Sequence, residues 1–129
     1  MANTDNMLSF IAGGTITEYS LVAVDAAGKV QMTASSTSEA AIGIAQRAVS
    51  AGEAVDVIVS GITRAIAGDA IAPETTSLLM ASASGNLAPF VKGSGNVSVA
   101  RVIPNINHHS PASGDQITVV FTGPSNYHT

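Results

Sequence analysis

Short runs of β-branched and small apolar residues recur along the whole chain, each cut by Gly, Ser, Asn or Asp. The clearest is Ala54-Val55-Asp56-Val57-Ile58-Val59-Ser60. Such residues lose little by being held extended and pack well on a pleated surface. Alternation puts Val55, Val57 and Val59 on one face and Asp56, Ile58 and Ser60 on the other. Ala41 to Ala45 precedes this run, and Ser50-Ala51-Gly52 supplies the turn between them. Leu21 to Val24, then Asp25-Ala26-Ala27-Gly28, then Lys29 to Thr33 reads as a tight hairpin. Asp opens its turn and Gly supplies the positive φ. Further strands are expected at 62–66, 78–82, 87–91, 97–102 and 117–122. No apolar set keeps a helical spacing beyond two turns. The pattern predicts a mainly β fold of roughly eight or nine short strands, a compact barrel or sandwich.

The same phrase occurs twice. Gly52 to Gly61 (GEAVDVIVSG) aligns with Gly114 to Gly123 (GDQITVVFTG). The first hairpin aligns with a second, Ile16 matching Ile71, Leu21 matching Leu78, Gly28 matching Gly85 and Val30 matching Leu87. The offset is 55 residues from Ile16 to Ile71, 57 from Leu21 to Leu78 and 62 from Gly52 to Gly114. Loop insertions produce such a drift. The chain therefore reads as a single domain, 1–129, built from two similar halves. Its expected parts are an N-terminal arm (1–13), a first half (14–66), a second half (67–123) and a tail (124–129). Two readings of the N-terminus stand side by side. Met7, Leu8, Phe10 and Ile11 either end a frayed tail with a strand docked on the core, or form a flexible arm that adds a strand to a partner's sheet edge.

Composition changes the picture in one respect. Only 11% of the 129 residues are charged and 4% are aromatic, against roughly a quarter charged in an ordinary soluble domain. A surface of Ser, Thr, Asn, Gly and Ala suits close contact between subunits, because low charge weakens colloidal repulsion. The five basic residues, Lys29, Arg47, Arg64, Lys92 and Arg101, are scattered, so no stripe exists to neutralise phosphates and nucleic-acid binding is not expected. No apolar run approaches the ~20 residues of a membrane-crossing helix, and the first residues do not read as a secretory leader.

Candidate chemistry is sparse. His108 and His109 are adjacent, so an extended backbone aims them apart, and they cannot easily share a metal. His128 and Asp115 could join them only through folding. Glu39, Glu53 and Asp56 are close in sequence but read as a solvated strand edge and its turn. Asp69 and Asp115 follow Gly at turns, as Glu53 does. There is no Gly-x-Ser-x-Gly elbow, and Gly93-Ser94-Gly95 lacks the third Gly of a dinucleotide fingerprint. Lys29 lacks the neighbourhood of a lipoyl or biotin carrier lysine. No enzyme activity, cofactor or metal is expected.

Residues Leu21 to Met32, Ala41 to Ala45, Ala51 to Gly61 and Gly68-Asp69-Ala70-Ile71 together resemble a family of small phage capsid cement, or decoration, proteins. The second copy, Leu78 to Leu87 and Gly114 to Thr122, matches that family's duplicated layout. Ile42-Gly43-Ile44 followed by Ser60-Gly61 is more distantly similar to lambda-type head decoration proteins. The resemblance spans roughly Gly14 to Thr122. It implies a homotrimer, made in the host cytoplasm, on the outer surface of the virion's expanded head. Its partner would be the major capsid protein, with no nucleic acid and no membrane involved. Met7, Leu8, Phe10 and Ile11 are then the capsid-contact candidates. As an augmenting arm, its removal (Met1 to Phe10) should abolish shell binding and spare the fold. The alternative is a receptor- or glycan-binding β module of a phage tail or surface structure. Few aromatic rings are present to stack on sugars.

Overall fold

The computed structural model describes residues 6–33, 41–71, 78–91, 97–103 and 112–125. Among them are ten strands and one short 3-10 turn, Ala83–Gly85. The strands are β1 (Met7–Ile11), β2 (Leu21–Val24), β3 (Val30–Met32), β4 (Ala41–Ala45), β5 (Ala54–Ile58), β6 (Gly61–Ile66), β7 (Leu78–Ala81), β8 (Leu87–Pro89), β9 (Ser98–Val102) and β10 (Gln116–Ser125). They form two five-stranded antiparallel sheets, ordered β1-β5-β4-β2-β3 and β6-β10-β9-β7-β8. The expected mainly β fold of two similar halves is therefore present.

Each sheet curls until its outer strands touch. Ala12 bridges Val30 in the first and Ala67 bridges Leu87 in the second. Gly13 N–H donates to Val30 C=O at 2.8 Å, and Gly68 N–H to Leu87 C=O at 2.7 Å. Apolar residues of each inner face fill the space so enclosed. Ile16, Val22, Val30, Val55 and Val57 form the first core. Ile71, Leu79, Leu87, Ile117 and Val119 occupy the equivalent places in the second.

The duplication extends to individual hydrogen bonds. Register pairs Val22 with Met32 and Leu79 with Pro89, each 57 residues apart. Leu8 opposes Val57, and Thr63 opposes Val119, with shifts of 55 and 62. The irregularity between Val22 and Ala23 recurs between Leu79 and Met80. Ala12 N–H donates to Glu53 C=O at 2.9 Å, and Ala67 N–H to Asp115 C=O at 2.8 Å. The offsets read from the sequence are thus those of the hydrogen-bond ladder. The hairpin glycine also stands where required, with φ of 80° at Gly28 and 73° at Gly85.

Two expectations need correction. Residues 7–11 are not a free arm: Met7, Leu8, Phe10 and Ile11 oppose Ile58, Val57, Val55 and Ala54 in the chain's own sheet. Hydrogen bonding to β5 satisfies backbone groups that an arm would leave to a partner. The docked-strand reading holds for these residues. The boundary between halves also moves. Strand β6 lies in the second sheet against β10, so the sheets divide between Ile58 and Gly61 rather than after Ile66. β6 is the counterpart of β1, which the sequence alignment started too late to include. The stretches 34–40, 92–96 and 104–111, with Glu39, His108 and His109, lie outside the described residues, as do 1–5 and 126–129, including His128.

Gly43 shows how tightly β4 and β5 meet. A Cβ there would fall 2.2 Å from Ile58 O and 2.6 Å from Val57 Cγ1. Backbone cannot yield as a side-chain tip can, so Gly43→Ala should destabilise the protein by about 2 kcal/mol or more in denaturant titration. An unchanged midpoint would contradict the packing described. Removing Met1 to Phe10 strips β5 of one of its two neighbours and takes Phe10 off the first core. The expected loss is on the order of 3 kcal/mol, read as a lower melting temperature. An unchanged melt would mean that β1 contributes nothing to the stable sheet.

Candidate interaction site

Strand pairing sorts the four N-terminal candidates onto two surfaces. Leu8 and Phe10 oppose buried Val57 and Val55, so they share the inner face of the first sheet. Met7 and Ile11 oppose Ile58 and Ala54 and lie on the outer face. The four residues therefore do not form one patch.

The inner-face residues sit at a mouth where the first core reaches solvent. Leu8 is 51% exposed, and Phe10, Val24, Ile42 and Val59 are only half-buried. Their counterparts in the second sheet differ. Thr63 is 8% exposed, and Ala65, Ala81, Val99 and Phe121 are buried. The cause is the other half of the chain. Leu21 and Ile44, on the outer face of the first sheet, join the second sheet's core, with Tyr19 packed against the same cluster. Gln46 Nε2 donates to Thr63 Oγ1 at 2.9 Å. Gly85 N–H donates to Thr33 C=O at 2.9 Å. The first half thus caps the second, and nothing in the chain caps the first among the described residues.

The outer faces tell the complementary story. Register places Met7, Ile58, Ile44 and Leu21 in a row across the first sheet. The equivalent row of the second sheet is Ile62, Val120, Arg101 and Leu78. In the first row Ile58, Ile44 and Leu21 are buried. In the second row Val120 and Leu78 are half-buried, Arg101 is exposed and Ile62 is 66% exposed. Sequence reasoning singled out Leu8 and Phe10 and did not single out Ile62 or Leu78. Their signal was the alignment of Leu78 with buried Leu21.

The acidic residues act in turns. Glu53 Oε1 accepts the Ser50 N–H at 2.7 Å, and Asp115 Oδ2 accepts the Ala112 N–H at 2.9 Å. Asp69 Oδ1 accepts the N–H of Ala70. Asp56 lies exposed on β5 opposite Ser9. Asp25 accepts the N–H groups of Ala27 and Lys29, and its second oxygen accepts the Gln31 amide at 2.9 Å. The Gln31 amide above all, and then the Lys29 N–H, hold its carboxyl below the usual aspartate value. The stabilisation is therefore present at neutral pH and is lost as the pH falls through that lowered value. Its counterpart in the second half is Ser82, which has no carboxylate to lose. Among the described residues no group of three or more His, Cys, Asp or Glu could hold a metal ion. No helix among them is long and apolar enough to cross a membrane.

No protein-family model matches the chain, and no curated protein matches it. A solved structure does. The crystal structure of the N base of head fiber gp8.5 from bacteriophage phi29 superposes with a TM-score of 0.64 at 18% identity. The match covers 94% of this chain and 99% of that one. The two proteins share a fold over essentially their whole lengths.

Proposed function

We propose that this chain is a structural protein of the phage head, a capsid decoration protein that binds the outer surface of the expanded shell and ties neighbouring major capsid proteins together. The observation that carries the reading is the end-to-end likeness to the base of a phage head fiber. The sequence resemblance to capsid cement proteins, over Gly14 to Thr122, points to the same setting independently. The physical character of the chain agrees with it. Two curled sheets, each around its own apolar core, make the body, and few charges leave a surface suited to dry contacts. Many copies on a shell let weak single contacts sum to a firm clamp. Its role is mechanical rather than catalytic, and its partners are the major capsid protein and further copies of itself, as a homotrimer.

Pairing of β1 within the chain changes how the shell would be held. Residues 7–11 are not spare chain for strand addition. Contact falls instead to side-chain surfaces, with Met7 and Ile11 on one face of β1 and Leu8 and Phe10 on the other.

Co-sedimentation with shells stripped of decoration tests the reading. Saturable binding to expanded shells and none to immature ones is expected. Absence of binding to both, together with a positive glycan array, would overturn it in favour of a receptor-binding module.

A further inference from the structure

The joint between the two halves is head-to-tail. A two-fold joint would be self-complementary, each contact appearing again with its partners' equivalents exchanged. That is not observed. Gln46 on the first half meets Thr63 on the second, while Leu8, the counterpart of Thr63, is 51% exposed. The Gly85 turn is seated against Ser20 and Leu21, so that a Cβ on it would lie 2.8 Å from Ser20 Cβ. The matching turn at Gly28 has nothing among the described residues within 4 Å of the same position. One end of a half therefore receives the outer face of another half, and among the described residues each chain keeps one unused copy of both surfaces.

We infer that these two unused surfaces mate between copies of this chain: the outer row of the second sheet on one copy covers the open mouth of the first sheet on the next. The occupant is a second copy because the mould for the contact already exists within the chain. Leu78 takes the place of Leu21, which the internal joint buries in the second core. The polar pair of the internal joint, Gln46 with Thr63, becomes Ile103 with Leu8. Both members change from hydrogen-bonding to apolar together, so the complementarity is kept. Such a match also explains why Leu8, at 51% exposed, is among the large apolar side chains the folded chain leaves in water. Arg101 is the one member of the row that departs from its counterpart, Ile44. Its stem can lie along the apolar surface while its guanidinium reaches water at the rim. A head-to-tail contact forms a ring when its rotation closes and an open filament when it does not, and a ring is the outcome we infer here. In a trimer the joint would alternate around the ring, once within a chain and once between chains. The inference rests on the joint inside the chain and not on the capsid reading, and its test needs no shell.

Light scattering on the whole chain and on two variants tests it. The unmodified protein should run as a closed oligomer. Leu8→Glu and Ile103→Glu, each damaging one surface, should each run as a monomer. Mixed in equal amounts they should form a dimer and nothing larger, because each supplies the surface the other lacks. A self-complementary contact cannot be rescued in this way. An unmodified protein that stays monomeric, a variant that keeps the unmodified mass, or a mixture that stays monomeric would each overturn the proposal. If either glutamate variant fails to fold, Arg101→Ile at an exposed position replaces it. Restoring the pattern of the first row should lower the dissociation constant about tenfold. An unchanged or weaker association would remove this row from the contact.

Discussion

The structure depends on the capping of the second core by the outer face of the first sheet. A five-stranded sheet of such short strands encloses only a small core, and curling leaves one end of it open. Leu21 and Ile44 close that end in the second half and become part of its core. Thr63, Ala65, Val99 and Phe121 are buried as a result. Removing apolar surface from water is the dominant favourable term in folding, so neither half is expected to stand alone. The chain is one cooperative unit made of two copies of one idea.

The halves have diverged where they meet and kept their pattern elsewhere. Backbone pairing is the same in both, down to the register irregularity after Val22 and after Leu79. Inner positions exchange residues in a compensating way. Phe10 in the first core has Ala65 as its counterpart, while Val59 has Phe121, so a phenylalanine ring is kept in each core but on a different strand. Outer positions differ by environment. Ile44, covered by the second half, stands where exposed Arg101 stands in the other sheet. Divergence of this kind marks which faces are used inside the chain and which are left for something else.

Much of this was legible in the sequence. Alternating β-branched runs gave the strands, and Asp25 to Gly28 gave the hairpin with its left-handed glycine. The drift of the repeat offset, read from glycines and leucines, is the drift of the hydrogen bonds. What escaped was long-range. Nothing local ties β1 to β5, or says that β6 leaves β5 to pair with β10, because antiparallel partners so far apart in sequence share no turn. The two candidate surfaces were hidden for the same reason. The strand pairing that makes Leu8 the counterpart of Thr63 had first to be seen, and then one of them covered and the other bare.

For the phage-head role proposed above, the arrangement would have a mechanical meaning. A body built from one repeated joint can place identical contacts around a ring without a separate oligomerisation device, leaving its remaining surface for the shell. The most direct measurement is an isotope-filtered methyl NMR experiment on a mixture of labelled and unlabelled chains. The account predicts contacts between copies from Leu8 methyls to those of Ile103. Contacts from Leu8 to Leu8 of another copy, or none between copies at all, would contradict it.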